Sequence, residues 1–140
     1  MDDFQAHPLW AQSVCQGKQA LKKEHRALVL ESKQHKVVQS LDFDACLKNL
    51  HLEHKRWDYM VEIHASKTLA FEVNAYDPKG LLDKKNGTLA ILQSEFAQSP
   101  PKVDAWHVAV LVALPRQDLL ARFRAETQIH IQRQLDLSKV

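Results

Sequence analysis

The sequence predicts an α/β (α+β) fold in which a mixed central sheet of about five strands is flanked by helices. Three features predict this class. Residues 57 to 63 and 69 to 75 alternate apolar and polar side chains with the period of two that is typical of strands. Residues 106 to 114 form a nearly continuous apolar run, as expected for a strand that is covered on both faces. Residues 117 to 135 carry apolar side chains at helical spacing.

Length and composition favour one domain spanning residues 1 to 140. The chain is 45% apolar and 26% charged, which suits a folded domain with a core of its own. A net charge of +2 is too small to indicate an obligate binder of polyanions. Cys15 and Cys46 lie far apart without a CxxC pair, so we expect free thiols. The sequence contains no apolar run long enough to cross a bilayer, and we expect a soluble, cytoplasmic protein without membrane contact.

Elements of the first third are expected to be short. Residues 8 to 25 begin with a proline and carry apolar residues at helical spacing, which predicts a helix. Residues 26 to 32 and 35 to 41 are apolar runs around a polar turn, which predicts a β-hairpin. Asp42 is suited to cap a short helix over residues 44 to 50.

The two alternating runs are predicted to pair as an antiparallel hairpin. In this pairing Asp58 and Glu72 share the polar face of the sheet, because side chains alternate along a strand. A loop that places His64 opposite Thr68 brings Asp58 across from Asn74, with Glu72 diagonal to Asp58. A slip of one residue would separate the two acids onto opposite faces. The predicted site therefore depends on the register of this hairpin.

The second half of the chain has the pattern of a crossover unit. Asp77 and Pro78 predict the start of a helix, with inward positions taken by Leu82, Leu89, Leu92 and Phe96 and a kink at Asn86-Gly87. A buried strand over residues 105 to 113 follows, and a long amphipathic helix ends the domain. A strand, a helix and a second strand in this order form a parallel crossover in one sheet.

Together, RWDYMVEI, AFEVN and the elements after them resemble the core of the PD-(D/E)XK nuclease-like family. In that family an acid on one strand and an acid-x-lysine on the next strand bind a divalent metal. The matching acids here are Asp58 and Glu72, while Asn74 stands at the lysine position. The resemblance implies a restriction-endonuclease-like core and C-terminal helix over residues 42 to 135, preceded by an N-terminal helix and hairpin over residues 1 to 41.

The resemblance also implies a chemistry. Mg²⁺ prefers oxygen ligands, and here Asp58, Glu72 and the main-chain carbonyl of Val73 would supply them. Because Asn74 stands at the motif's lysine position, the resemblance implies that a lysine from elsewhere takes this role, Lys84 or Lys85, with Lys67 as a further choice. The implied activity is Mg²⁺-dependent hydrolysis of phosphodiester bonds in DNA or RNA, or binding of nucleic acid by a catalytically degenerate member.

Other functions remain open from the sequence. The two acids would also be explained as solvated charges on a polar strand face. His51 and His54 in HLEH, with His64 nearby, would suit a transition metal if Glu53 or Asp58 completed the ligand set. A different class of function is a noncatalytic interaction module that dimerises through the apolar stripe of the C-terminal helix, from Leu120 to Leu135.

Overall fold

The computed structural model describes all 140 residues. Four α-helices and eight strands alternate along the chain, with single 3-10 turns at Ala45–Leu47, His64–Ser66 and Leu137–Lys139. The helices are α1 (Asp2–Ala6), α2 (Lys23–Arg26), α3 (Pro78–Glu95) and α4 (Gln117–Thr127). The strands are β1 (Cys15–Gln16), β2 (Val29–Leu30), β3 (Val37–Asp42), β4 (Tyr59–Ile63), β5 (Lys67–Val73), β6 (Ala105–Ala109), β7 (Ile129–Gln132) and β8 (Leu135–Asp136). No helix is long and apolar enough to span a membrane.

A six-stranded mixed sheet in the order β1-β3-β4-β5-β6-β7 organises the fold. The first four strands pair antiparallel, and β6 and β7 then add in parallel. Each parallel addition follows a helix, α3 before β6 and α4 before β7, as a crossover connection requires. The α+β class with a mixed sheet is therefore confirmed, with six strands instead of about five.

Both faces of the sheet are buried. A larger apolar cluster of 17 residues includes Met60, Ala70 and Val108, and a smaller cluster of 11 residues includes Val61 and Phe71. Because Met60 and Ala70 are completely buried, the expectation that Asp58 and Glu72 share a solvated strand face is wrong. That face is covered by α3, whose Leu81 and Ile91 belong to the larger cluster.

The predicted N-terminal helix over residues 8 to 25 is wrong. A short helix lies earlier, at Asp2–Ala6, and residues 8 to 14 form turns before β1. Gly17 has a φ of 53°, a left-handed conformation that does not continue a helix. The apolar spacing reflects packing instead, since the buried Trp10 ring stacks on Phe43 with 5.3 Å between the centroids.

The predicted hairpin within residues 26 to 41 is also wrong. The polar turn exists, since the Ser32 amide donates to the His35 carbonyl over 2.9 Å. However, β2 pairs in parallel with β8 in a separate two-stranded sheet, whereas β3 lies in the central sheet between β1 and β4. The side chain of Val29 is thereby buried in the smaller cluster, so tertiary burial and not the local turn decides its strand partner.

The long C-terminal helix ends eight residues earlier than predicted, at Thr127 instead of Leu135. Gln128 adopts a left-handed φ of 65°, and the chain then enters the sheet as β7, with Ile129 beside Trp106. The stripe residues Leu120 and Leu135 are buried in the chain's own fold. The observation that motivated dimerisation through this helix is therefore lost.

Helix α3 begins where the sequence predicts. The Asp77 side chain accepts a hydrogen bond from the Gly80 amide at 3.1 Å, and Pro78 occupies the first helical position. The buried stripe is rotated from the predicted one, because Leu82 and Leu89 are 37% and 44% exposed. The predicted kink at Asn86-Gly87 is absent, because the helix is continuous from Pro78 to Glu95.

Gly87 has a packing role in this rotation. A Cβ atom at this position would lie 1.9 Å from the carbonyl oxygen of Lys55, so only glycine lets the helix approach the segment before β4. One residue later, the Thr88 hydroxyl accepts a hydrogen bond from the Trp57 amide at 2.8 Å. These two contacts hold α3 against the segment that leads through Asp58 into β4.

Replacing Gly87 with alanine is expected to destabilise the protein by about 1–3 kcal/mol, because the clash with the Lys55 backbone forces the helix to move. In a helix without this clash, replacing glycine with alanine would raise the free energy of unfolding by up to about 1 kcal/mol. The sign of the measured change therefore distinguishes the two cases. Urea unfolding followed by circular dichroism measures the difference. Asn86→Ala, on the exposed neighbouring residue, serves as the control and is expected to stay within about 0.5 kcal/mol of the wild type. An equal or higher stability of Gly87→Ala would contradict the proposed packing role.

Candidate functional site

The two predicted acids meet at the start of the β4–β5 ladder. Tyr59 pairs with Phe71, and continuing the ladder by one residue brings Asp58 directly across from Glu72. The predicted pairing of Asp58 with Asn74 is therefore wrong by two positions. A shift of two keeps every side chain on its face, so the acids remain neighbours. The register brings them closer than the diagonal arrangement that the sequence predicted.

Each carboxylate reaches the backbone of the opposite strand. The Asp58 amide donates to Glu72 Oε1 at 2.9 Å, and the Val73 amide donates to Asp58 Oδ2 at 3.3 Å. These bonds continue the pairing of the strands beyond the regular ladder and hold the two side chains in place. Asp58 Oδ1 has no hydrogen-bond partner, so one carboxylate oxygen is left to accept a ligand.

Glu72 is completely buried and holds Lys84 and Asn74. Its Oε2 atom accepts hydrogen bonds from Asn74 Nδ2 at 3.0 Å and from Lys84 Nζ at 2.5 Å. Lys84 projects from α3, the helix that crosses over from β5 to β6. The structure therefore brings together Asp58, Glu72, Asn74 and one of the two lysines that the sequence proposed.

The other proposed site groups lie elsewhere or act differently. Lys85 Nζ donates to the Thr127 carbonyl at 2.5 Å and lies 5.5 Å from the Trp106 ring centroid, so it stabilises the end of α4 and makes no bond to either acid. Lys67 begins β5, at the opposite end of the strand from Glu72. Val73 contributes its amide to Asp58.

The environment raises the pKa of both carboxyl groups. Burial, followed by the negative charge of Asp58, raises the pKa of Glu72 to about 7, although Lys84 and Asn74 oppose this shift. Burial also raises the pKa of Asp58, against the lowering effect of the Val73 amide and of Lys84. Carboxyl groups whose pKa is raised by desolvation and by a neighbouring negative charge are frequent at functional sites.

Asp58 opens onto a cavity of about 170 Å³. The remaining walls come from the first half of the chain and from β4: Lys22, His25, Asp42, Asp44, Ala45 and Tyr59. The Tyr59 hydroxyl accepts a hydrogen bond from the Lys22 amide at 3.3 Å and shares another with His25 Nδ1 at 2.7 Å. No pattern in the sequence indicates this cavity, because its residues become neighbours only in the tertiary structure.

The acid pair offers carboxylate oxygens, the type of ligand that suits Mg²⁺ and Mn²⁺. Mg²⁺ is held by one or two carboxylates and completes its octahedron with water and phosphate oxygens, so Asp58 and Glu72 suffice. No group of three or more His, Cys, Asp or Glu side chains is arranged to hold a metal ion. The histidines of HLEH instead contact glutamates, His51 with Glu95 at 3.4 Å and His54 with Glu53 at 3.5 Å. His64 lies beside the ring of His35.

Stability is expected to fall as the pH rises from about 5 to about 8, measured as Tm. The pKa of Glu72 rises from 4.5 to about 7 on folding, so in this window the folded state keeps a proton that the unfolded chain has lost. The stabilisation present at low pH therefore disappears as the pH passes about 7. Glu72→Gln has no titrating carboxyl group at this position and is expected to flatten the dependence of Tm on pH. Glu126→Gln, on the exposed side of α4, is the control and is expected to keep the wild-type dependence. Parallel profiles for all three proteins would show that Glu72 titrates normally.

Comparison with known proteins gives no family for the chain. No protein-family model matches it, and neither a curated protein nor a solved structure matches it.

Proposed function

We propose that the protein is a Mg²⁺-dependent phosphodiester hydrolase of the nuclease-like class that acts on nucleic acid. The observation that carries the proposal is that Asp58, Glu72 and Lys84 meet in the structure. Asp58 directly precedes β4, Glu72 lies on β5 and Lys84 lies on α3. The Glu72 carboxylate bonds both Lys84 Nζ and the Asp58 amide, so two carboxyl groups and one ammonium group lie together, and this supports metal-assisted hydrolysis of a phosphate ester.

The order of the elements supports the same proposal. Three consecutive antiparallel strands, β3 to β5, precede the crossover helix α3 and the parallel strand β6. The sequence predicted a helix before the acid-bearing strands, but this region contains only the 3-10 turn Ala45–Leu47. The arrangement is thus similar to the PD-(D/E)XK core in its strand sequence and in the strands that carry the acids.

Each residue has a distinct role in the proposed reaction. Bound Mg²⁺ would supply charge stabilisation at the phosphate and lower the pKa of a bound water. Asp58 Oδ1 and the Glu72 carboxylate would hold the ion. Lys84 provides the positive charge that the family takes from its motif lysine, here replaced by Asn74, and Asn74 orients Glu72 through its amide. The cavity beside Asp58 gives a phosphate group access to this carboxylate.

A specific observation favours a second candidate, a noncatalytic scaffold. Glu72 is 0% exposed and three donors already bind its two oxygens, namely the Asp58 amide, Asn74 and Lys84. In this alternative the acid pair only fastens α3 to the sheet, and the protein acts by binding another molecule. The two functions differ in whether the carboxylates are needed for a reaction or for stability alone.

Cleavage assays distinguish these candidates. Purified protein is incubated with single- and double-stranded DNA and RNA in Mg²⁺ or Mn²⁺, and Asp58→Asn and Glu72→Gln are each expected to reduce the cleavage rate at least about 100-fold. Lys84→Met is expected to do the same, whereas Lys79→Met on an exposed position of the same helix and Asp118→Asn on α4 are expected to cleave normally. Circular dichroism verifies that each variant is folded. Absence of cleavage of all four substrates, or equal rates in Asp58→Asn, would favour the scaffold.

Metal affinity is expected to depend on pH. Because the pKa of Glu72 is about 7, binding of Mn²⁺ competes with its proton, and affinity is expected to rise about tenfold between pH 6 and pH 8. Isothermal titration calorimetry measures this rise, and Glu72→Gln is expected to abolish it. A pH-independent affinity in the wild type would remove Glu72 from the ligand set.

A further inference from the structure

A second cavity lies at one edge of the sheet, between α4 and the edge strand β7. Its volume is about 230 Å³, and its polar wall consists of Gln117 and Arg124 from the helix and His130 and Gln132 from the strand. Leu120, Ala121 and Ile131 complete the lining. No acidic side chain contributes to the wall, so Arg124 is its one permanently charged group.

Two groups on this wall lack partners, and both are donors. The Arg124 side chain is exposed and makes no ion pair or hydrogen bond. Gln132 Nε2 is buried and has no hydrogen-bond partner. A buried donor without a partner is unfavourable, and a ligand that supplies acceptor oxygens would satisfy it. The chemistry of the wall therefore selects for an acceptor with negative charge.

One residue of the cavity wall, His130, belongs to a pair of stacked histidines. His107 and His130 are paired on β6 and β7, and their rings stack with 4.7 Å between the centroids. Burial lowers the pKa of His107 to about 4, and burial together with the Arg124 charge lowers the pKa of His130. His107 Nε2, like Gln132 Nε2, is buried and has no hydrogen-bond partner. Both rings are therefore uncharged at neutral pH, and Arg124 supplies the positive charge that a ligand in the cavity would meet.

This cavity is separate from the acid pair. His107 pairs with Phe71 in the ladder, and the side chain of Phe71 points to the face opposite to that of its neighbour Glu72. Nothing in the second cavity depends on the proposed hydrolase activity.

We propose that this second cavity binds a small oxyanion, the phosphate or carboxylate group of a small molecule, with Arg124 as its charge partner and Gln132 as a hydrogen-bond donor. A guanidinium group presents a fork of N–H donors that matches the oxygens of either group, and such charge-assisted hydrogen bonds are among the stronger ones in proteins. Inorganic phosphate and acetate represent the two ligand chemistries.

Titration with inorganic phosphate and, separately, acetate tests the proposal. Binding is followed by NMR of the backbone amides and of the histidine ring signals. Saturable shifts centred on Arg124, His130 and Gln132 are expected for at least one anion below about 50 mM, and the tighter anion identifies the ligand class. Arg124→Met is expected to weaken binding at least about tenfold, because the charge partner is lost.

Arg122→Met is the matched control, since Arg122 is exposed on the same helix and does not line the cavity. The affinity of the Arg122→Met variant for the anion is expected to stay within about twofold of the wild-type affinity. The proposal is overturned if neither anion saturates, if Arg124→Met binds as tightly as the wild type, or if the shifts centre on another surface. Because Arg124 is exposed, its replacement leaves the core intact, and loss of binding reports on the cavity itself.

Discussion

The register of the β4–β5 ladder is the constraint on which the rest of the structure depends. It sets Tyr59 opposite Phe71 and so places Asp58 beside Glu72. It also decides which side chains of each strand enter the larger and the smaller apolar cluster, because alternate residues point to opposite faces. A slip of one residue would move Met60 and Val61 to the wrong clusters and would separate the acids. Core packing and the candidate site are therefore fixed by the same backbone pairing.

The buried carboxylate of Glu72 links the sheet to α3. Lys84 and Asn74 compensate part of its desolvation, and Gly87 and Thr88 bring the same helix onto the backbone of Lys55 and Trp57. Removing one member of a buried ion pair leaves the other uncompensated, so this contact is sensitive to substitution. The raised pKa of Glu72 shows that compensation is incomplete. A cation bound between the acids would stabilise the ionised form that folding alone penalises.

The C-terminal segment has a different role from the one its pattern suggests. After α4 the chain turns at Gln128, adds β7 to the edge of the large sheet and then pairs β8 with β2. This return covers the second face, where Leu135 and Leu137 are buried beside Val29. It also creates the cavity between α4 and β7, with Arg124 on one wall and Gln132 on the other. One reversal of the chain thus completes the core and forms a second cavity with polar walls.

The sequence by itself determined the elements whose signals are local. Alternation identified the two acid-bearing strands, and Asp77-Pro78 identified the start of α3. The apolar run identified the buried strand β6, but the strand ends at Ala109 instead of residue 113, and Leu111 and Val112 are exposed. The sequence also placed Asp58 and Glu72 on one face, while the choice between Lys84 and Lys85 stayed open until the structure showed Lys84 at Glu72. The tertiary structure decided the ladder register, the pairing of β2 with β8, the end of α4 at Thr127 and the burial of Glu72. These outcomes depend on contacts between residues distant in sequence, and the free energy of burying apolar surface there outweighs local preference.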